Sequence, residues 1–304
     1  MTRSRPSNLG TLRELLPAAE RRGYAAGSFS PRYLRMVPFA LAAAQQMNSP
    51  AIIQISANEL RWFDAAPEQF AAAFFDALRA ERVTVPVALH LDHTKDVAVI
   101  ERAIDAGFTS VMIDRSELPL AENAAATRAV VDLARGRGVS VEGELGRIFS
   151  ADKLETAEDR ELYTVPEEAA TFCARTGVDA LAISVGTAHG VYNVRRPAID
   201  FARLAAIRQA APAHLVLHGG SGVPEDMVRI AIRLGVSKIN IATDLEQAML
   251  AALGRAARMS KAELDALPPR ELERAGEAVR VEVMEKVTRY LGSAGMADHE
   301  YQYE

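Results

Sequence analysis

The sequence is poor in several residue types that would indicate particular classes of protein. Its 304 residues include one cysteine, one tryptophan and five lysines. The single Cys173 excludes a disulfide within the chain, and its place in a helical pattern predicts a small buried side chain. No stretch approaches the roughly 18 uncharged apolar residues that a membrane-spanning helix needs. The first ten residues contain no apolar segment typical of a secretory signal, so we expect a cytoplasmic location and no membrane partner.

An excess of positive charge is also missing. The chain has 35 Lys and Arg against 40 Asp and Glu, a net charge of −5. We therefore expect no nucleic-acid partner. Hydrophobic residues make up 49% and charged residues 25%, which is ordinary for a globular protein. The length fits two average domains or one large α/β barrel.

Eight short runs with β character alternate with helical patterns along the chain. Such alternation predicts a parallel sheet with helical crossovers. Eight units in about 230 residues predict a closed (β/α)8 TIM barrel over residues 11–245, within one domain spanning 1–304. The predicted strands are Tyr24–Phe29, Ala51–Ser56, Val85–Asp92, Ser110–Ile113, Val139–Glu144, Ala180–Val185, Leu215–His218 and Lys238–Ala242.

Two segments depart from this regular pattern. Residues 146–165 are highly charged and lack clear periodicity, which is typical of a functional lid or a mobile loop after a barrel strand. Residues 246–293 have helical patterns interrupted at Pro268 and Pro269. They predict a C-terminal helical extension of the barrel.

Histidines and carboxylates collect at the ends of the predicted strands. Active sites of (β/α)8 barrels form at the carboxyl ends of the strands. A lone histidine there is more often structural, whereas three on separate strands favour a metal site. Three neutral imidazoles with an open position are the usual catalytic zinc arrangement, and nearby carboxylates orient such ligands. The residues concerned are Asp92, His93, Asp114, Glu142, Glu144, His189 and His218.

The other three histidines have simpler interpretations. His90 lies inside the third predicted strand and is expected to be a core residue, bonded to a neighbouring strand. His214 lies at a strand start and His299 lies in the C-terminal tail, and we assign no role to either.

Glycine-rich loops follow the last two predicted strands. In LHGGSG, Gly219 and Gly220 let backbone amides approach an anion, and Ser221 adds a hydroxyl. In NIATD, Asn240 and Thr243 lie at the start of a helix, whose N-terminus favours negative charge. One such loop is most often a simple turn, but these two positions are a frequent phosphate site in this fold.

The two groups of residues together predict a phosphorylated substrate beside a zinc-type ion. Asp92 lies where a carboxylate could move a proton. A Lewis acid next to a ketose carbonyl would make carbon–carbon cleavage or formation feasible at neutral pH.

The motifs HLDH, VEGELGRI, ISVGTAHGVY and LVLHGGSGVPEDMVRIAIRLGVSKINIATDL resemble the class II, metal-dependent ketose-bisphosphate aldolases. This family includes fructose- and tagatose-bisphosphate aldolases, and NIATD is closer to the tagatose-type branch. The resemblance covers nearly the whole chain. It implies reversible cleavage of a ketose phosphate or bisphosphate into dihydroxyacetone phosphate and an aldehyde. It also implies one Zn²⁺ per subunit, a monovalent cation such as Na⁺ or K⁺, and a homodimer or homotetramer.

The same resemblance implies roles for individual residues. His93, His189 and His218 would hold zinc, with Asp114 and Glu144 near the metal and available when it shifts. Asp92 would move the proton of the hydroxyl on the carbon that becomes the aldehyde. Arg270 aligns with an arginine that reaches the far phosphate, usually across a subunit interface. Residues matching the surface for the dihydroxyacetone phosphate part are Ser56, Gly190, Gly219, Gly220, Ser221, Asn240, Ala242 and Thr243.

Several positions depart from the family pattern. After ELGR the family carries two glycines and then a catalytic glutamate on a mobile loop. Here the loop reads IFSADKLETAED, so Asp152 falls near the glutamate's place, and the missing glycines should restrict its motion. Arg32 and Tyr33 enter after the first strand, Arg115 replaces a glycine, and Pro268 replaces an aspartate. This pattern predicts aldol chemistry on a non-standard ketose phosphate.

Two other functions compete with this interpretation. A Schiff-base aldolase needs a lysine in the barrel mouth, but Lys95 lies just past the third strand and Lys238 at the start of the eighth. A non-catalytic protein that binds a metal or a phosphosugar is the third hypothesis, because the loop around Asp152 is altered.

Overall fold

The computed structural model describes residues 6–297 of the chain. Within these residues, eight parallel strands close into a barrel and two short strands form a separate sheet. The strands β1 to β10 are, in chain order, Ala26–Phe29, Ala51–Ser56, Val87–Thr94, Ser110–Ile113, Ser140–Leu145, Phe149–Ser150, Ala180–Ile183, Ala188–His189, His214–Leu217 and Val236–Ile241. The barrel order is β1-β10-β9-β7-β5-β4-β3-β2, and the separate sheet pairs β6 with β8.

Helices surround this barrel and connect its strands. In chain order, α1 to α13 are Leu12–Arg22, Val37–Gln46, Ala57–Trp62, Pro67–Ala80, Val97–Ala106, Leu120–Arg135, Ala157–Glu161, Pro166–Thr176, Phe201–Ala210, Glu225–Arg233, Thr243–Ala252, Lys261–Asp265 and Pro269–Glu285. A 3-10 turn, Leu34–Met36, precedes α2, and a π-helical segment, Lys286–Tyr290, follows α13. No helix among the described residues is long and apolar enough to cross a membrane.

The predicted (β/α)8 barrel is confirmed, although several strand bounds differ by up to two residues. The third strand begins at Val87, because Pro86 has no amide to donate to the ladder. It runs on to Thr94, past the predicted end at Asp92. The seventh barrel strand ends at Leu217, so His218 lies immediately beyond it.

Helix α1, which the strand pattern did not predict, closes the amino-terminal end of the barrel. Thr11 caps it in a capping box with Glu14. Its Leu12, Leu15 and Leu16 are buried against apolar side chains from the barrel interior. Because this end is sealed by apolar packing, polar chemistry is confined to the opposite mouth. The interior partners are Ala26, Ile52, Ala88, Met112, Ala180, Ala182 and Val216.

The C-terminal segment forms helices, as the sequence pattern predicts. Helix α11 begins at Thr243, inside the predicted barrel range, and is the helix that follows the last barrel strand, β10. Helix α13 packs against α11 and α2. Pro268 and Pro269 lie at the N-cap and first turn of α13, positions where proline fits a helix start.

The charged segment 146–165 is partly ordered into β6 and α7. β6 pairs with β8, and the amide of Ala151 donates to the carbonyl of His189 at 2.8 Å. Glu155 in this segment accepts from Tyr163 and from Arg195. These contacts hold the loop against the segment that carries His189.

Candidate active site

Polar side chains fill the part of the barrel interior that lies next to the carboxyl ends of the strands. Residues two apart on a strand face the same side of the sheet, and four strands each carry a buried polar pair in this spacing. These pairs lie above the apolar layer covered by α1, at the mouth where strand ends converge. They are Gln54 and Ser56, His90 and Asp92, Glu142 and Glu144, and Lys238 and Asn240.

His93 reaches this mouth through an irregularity in β3. Because His90 and Asp92 face the interior, regular alternation would point His93 the other way. The pairing of β3 with β4 shifts register between Leu91 and Thr94, and the φ angle of His93 is +31°. A bulge re-aims a side chain, and here it places the imidazole beside the Asp92 carboxylate.

Three imidazoles converge at the mouth. The ring centroids of His93 and His218 are 4.5 Å apart, those of His93 and His189 are 4.9 Å apart, and those of His189 and His218 are 5.8 Å apart. Nε2 of His93 lies 2.8 Å from Nδ1 of His218. One nitrogen from each ring lies within 4.8 Å of the other two, which is the spacing of a shared metal ion.

Carboxylates fix the orientation of two of these rings. Nδ1 of His93 donates to Asp114 at 3.1 Å, and Nε2 of His218 donates to Glu142 at 2.8 Å. The other nitrogen of each ring thus faces the space between the three imidazoles, as it does in histidines that bind a metal. Burial, and then the neighbouring imidazoles, lower the pKa of His189 to about 3, which keeps that ring neutral.

Glu144 gives an independent reason to expect a cation. Its Oε2 is buried and has no hydrogen-bond partner within residues 6–297. That oxygen lies 3.6 Å from Nδ1 of His218 and 3.8 Å from Nδ1 of His93. Burial, and then Asp114, raise the pKa of this carboxyl well above its usual range. Because ionising this buried carboxyl without a positive partner is costly, the three imidazoles and Glu144 fit a divalent metal.

Asp92 is held as an ionised acceptor beside the imidazoles. Nε2 of Gln54 donates to its Oδ2 at 3.1 Å, and Nδ2 of Asn240 donates to its Oδ1 at 3.0 Å. Burial alone would raise the pKa of Asp92, but the charges of His93 and other neighbours hold it well below its usual range. A carboxylate in this state can accept a proton from a substrate hydroxyl.

Lys238 connects the metal side of the mouth with Asp92. It is fully buried, and its Nζ lies 2.9 Å from Oε2 of Glu142 and 2.7 Å from Oδ1 of Asn240. The ammonium group lowers the pKa of Glu142 to about 2 against the opposing effect of burial. It also makes Asn240 present its amide nitrogen to Asp92. His90, Asp92 and Glu142 form a second group whose spacing could hold a metal ion. Lys238, which pairs with Glu142, already supplies positive charge at this group.

The loops after β9 and β10 form a tight anion cradle. A Cβ at Gly219, whose φ is +65°, would lie 2.3 Å from the carbonyl oxygen of Ala188. Only glycine therefore lets this loop approach β8. The Ser221 hydroxyl accepts from the amide of Asp244 at 3.2 Å, and α11 begins next to it at Thr243. The first amides of α11 favour an anion there.

One cavity of about 1000 Å³ joins these features. It extends from the imidazoles to the loops after β9 and β10 on one side and to α3 on the other. The sequence-predicted residues that line it are Ser56, Asp92, His93, Asp114, Glu144, His189, Gly190, Gly219, Ser221, Asn240, Ala242 and Thr243. His218 lies just behind, bonded to His93.

The sequence pattern of the family described as fructose-bisphosphate aldolase class-II matches residues 10–296. The chain belongs to this family. It is therefore a lyase of the aldolase type. A fructose-bisphosphate aldolase of Geobacillus stearothermophilus is 37% identical over 95% of the chain and 99% of that protein. A sulfofructosephosphate aldolase of Alkalicoccus urumqiensis is 40% identical over 77% of the chain and 80% of that protein.

Solved structures give the same fold. The crystal structure of the YdjI aldolase from Escherichia coli K12 superposes with a TM-score of 0.81 at 31% identity, covering 95% of the chain and 100% of that protein. The family match and the structural similarity therefore both relate this chain to aldolases.

Besides His218, three residues predicted for this aldolase site do not line the cavity. Asp152 is exposed on the segment between β6 and α7. Arg270 is exposed in the first turn of α13, as a residue that acts on a neighbouring subunit would be. Gly220 packs against β10, and its amide donates to the carbonyl of Asn240 at 3.2 Å. The roles of these three residues stay predictions.

The Schiff-base hypothesis has no suitable lysine among the described residues. Lys238 is enclosed by Glu142 and Asn240. Lys95 lines the cavity, but it is an exposed amine 3.0 Å from Glu117. Neither amine has the apolar surroundings of a Schiff-base nucleophile.

Several residues of the mouth have no role in the sequence-based prediction. Gln54 and Lys238 each lie two positions before an assigned residue on the same strand, whereas Glu142 is already among the carboxylates expected near the histidines. That spacing was the available signal, since alternate residues share a face. Glu59, which also lines the cavity, lies in a helix and carried no comparable signal.

Replacing Lys238 by methionine is expected to destabilise the fold by about 3–5 kcal/mol, because it leaves Glu142 buried without its counter-ion. The measurement is the midpoint of urea unfolding. The matched control is Lys261→Met, which removes an exposed lysine and should leave the midpoint nearly unchanged. The double variant Lys238→Met with Glu142→Gln should recover part of the loss. An unchanged midpoint for Lys238→Met would contradict this role.

Proposed function

We propose that the protein is a zinc-dependent aldolase that reversibly cleaves a ketose phosphate or bisphosphate into dihydroxyacetone phosphate and an aldehyde. The observation that carries the proposal is the convergence of His93, His189 and His218, with the unpartnered Oε2 of Glu144 near two of these rings and Asp92 beside them. Three nitrogen ligands with a remaining open position favour zinc over magnesium or calcium, which prefer oxygen ligands.

Different residues of the mouth carry out different parts of the proposed reaction. His93, His189 and His218 would hold a divalent metal, which when bound would provide a Lewis acid for the substrate carbonyl oxygen. Asp92 accepts the proton of the hydroxyl on the carbon that becomes the aldehyde, and it returns that proton in the direction of synthesis. The cradle around Gly219, Ser221 and Thr243 binds the phosphate of dihydroxyacetone phosphate and thereby fixes the donor half.

Other parts of the proposal rest on the family pattern. Asp152 would serve as the loop acid or base, which requires its segment to move toward the cavity. If the substrate is a bisphosphate, Arg270 would reach its far phosphate across a subunit interface in a homodimer or homotetramer. A monovalent cation and a cytoplasmic location likewise stay predictions.

Family membership leaves the identity of the aldehyde open. The relatives are named for fructose bisphosphate and for sulfofructose phosphate, two different ketose phosphates. We therefore propose dihydroxyacetone phosphate as the common product. Fructose 1,6-bisphosphate and tagatose 1,6-bisphosphate are the reference substrates for the aldehyde half.

The experiment that tests this function is an aldol synthesis assay. The protein is incubated with Zn²⁺, dihydroxyacetone phosphate and a panel of aldehydes, and the products are identified by mass. A zinc-dependent ketose phosphate is the expected product, and both bisphosphates are compared in the cleavage direction. Formation of no adduct with any aldehyde, and cleavage of neither bisphosphate, would contradict the proposal.

A further inference from the structure

The mouth has a second side, beside Asp92 and opposite the phosphate cradle. Ser56 ends β2 and is the register partner of Asp92 on β3. In the barrel order, β2 and β3 lie away from β9, whose loop carries Ser221. If the cradle holds the donor phosphate and Asp92 takes a proton from the aldehyde half, that half extends past Ser56, although the family resemblance places Ser56 on the donor side. This deduction rests on the proposed function.

The polar groups of Ser56 are already bound by a carboxylate of the protein. The amide and the hydroxyl of Ser56 donate to Oε2 of Glu59 at 2.9 and 3.0 Å. The hydroxyl of Ser30 donates to the same oxygen at 2.9 Å, and Nε of Arg32 donates to Oε1 at 3.0 Å. Glu59 lines the cavity and is 5% exposed. The donors that an anionic substrate group would use are therefore occupied by an internal anion.

A capping box accounts for only part of this arrangement. Ser56 caps α3, and a carboxylate at the position of Glu59 needs only the bond to the cap amide. The bonds from Ser30 and Arg32 come from the segment after β1 and are not part of such a cap. Arg32 is also held at a φ of +61°, which is unusual for arginine. The surrounding structure thus fixes the carboxylate of Glu59 more firmly than helix capping requires.

The charges of the ion pairs that hold Glu59 cancel, and the other cations that line the cavity, Arg61, Lys95, Arg102 and Arg147, lie outside this network. Arg32 also pairs with Glu246, and Glu246 pairs in turn with Arg258. These two arginines and two glutamates form a chain of ion pairs that joins the segment after β1, helix α3, helix α11 and the segment after α11. Nη2 of Arg32 lies 3.5 Å from the hydroxyl of Thr243, so it faces the donor side of the mouth. A phosphate beside Ser56 would meet a carboxylate and no unpaired cation of this network.

We propose that Glu59 is a specificity residue that excludes a phosphate from the aldehyde half. The substrate class that fits is a ketose 1-phosphate whose aldehyde half is uncharged and hydroxylated beside Ser56. Sugar hydroxyls can donate to the Glu59 carboxylate, whereas a phosphate there is repelled and finds its donors taken. The chain thus selects a monophosphorylated substrate by charge repulsion.

Paired aldehydes that differ only in the phosphate test this proposal. Racemic glyceraldehyde and racemic glyceraldehyde 3-phosphate are each condensed with dihydroxyacetone phosphate by the zinc-loaded protein, and kcat/KM is compared. The unphosphorylated aldehyde should be favoured by about 10²-fold, since a close pair of like charges in an interface is strongly unfavourable. An equal or higher kcat/KM for the phosphorylated aldehyde would overturn the proposal, and this comparison needs no variant.

The variant Glu59→Gln keeps the shape of the side chain and removes its charge. The ratio of the two kcat/KM values should move toward the phosphorylated aldehyde by at least about tenfold. Glu122→Gln, an exposed change on α6, is the matched control and should leave the ratio unchanged. An unchanged ratio in a folded Glu59→Gln protein would overturn the proposal.

Failure of this inference and failure of the proposed function are distinguishable. Solvent deuterium exchange into dihydroxyacetone phosphate reports the donor half alone. If exchange occurs and glyceraldehyde does not react, the specificity proposal is wrong while the donor half of the proposed function stands. If no exchange occurs with zinc bound, the proposed function itself is wrong.

Discussion

Replacing Asp92 by alanine is expected to lower the rate of ketose phosphate cleavage by about 10²–10⁴-fold, the usual contribution of a positioned proton carrier. The carboxylate is buried at the mouth, where Gln54 and Asn240 donate to it and the charge of His93 favours its ionised form. Metal content should remain at the wild-type level, because Asp114 and Glu142 orient the imidazoles independently of Asp92. The measurements are steady-state cleavage and the zinc content of the purified variant.

A second measurement separates the two halves of the reaction in this variant. Because Asp92 acts on the hydroxyl of the aldehyde half, Asp92→Ala should still exchange a donor-carbon proton of dihydroxyacetone phosphate with solvent. Asp76→Ala, an exposed change on α4, is the control and should cleave at the wild-type rate. Retained cleavage in Asp92→Ala would assign the proton transfer to another group.

Removal of the metal is expected to have the other large effect. Chelation should lower cleavage by about 10³-fold or more, since a Lewis acid contributes several kcal/mol to the stabilisation of developing charge. Addition of Zn²⁺ or Co²⁺ should restore the rate. His218→Ala should bind zinc more weakly, because it removes one of the three converging nitrogens.

The control for the metal experiment is a histidine outside the mouth. His214 begins β9 at the opposite end and lies 2.9 Å from Glu20. His214→Ala should keep the metal dependence and zinc content of the wild type. Full activity of the chelated protein, checked for residual zinc, would contradict a metal-dependent reaction.

The fold followed from the sequence because its signals are repeated. Each of the eight apolar runs is weak alone, but their alternation with helical patterns leaves few alternatives to a closed barrel. The positions of Asp114, Glu144 and His189 then followed from the rule that strand ends converge at one mouth. Helix α1 carried no such signal. Its role is to cover one end of the barrel, and that end exists only once the eight strands have come together.

The details of the mouth depend on contacts that the sequence does not encode locally. The bulge at His93 turns a residue that alternation would place on the outer face, and it depends on the pairing of β3 with β4. Lys238 was set aside as lying at the wrong end of its strand, yet its long side chain reaches Glu142 and Asn240. The bonds from Ser30 and Arg32 to Glu59 join segments that are distant in sequence.

The most direct test of the account is proton exchange in dihydroxyacetone phosphate without any aldehyde. The zinc-loaded protein is incubated with this compound in D₂O, and its mass is followed beside that of the chelated protein. The zinc-loaded protein should add one mass unit to the donor carbon, and the chelated protein should add none. No exchange by the protein with zinc bound would contradict the central claim that this mouth activates a ketose phosphate.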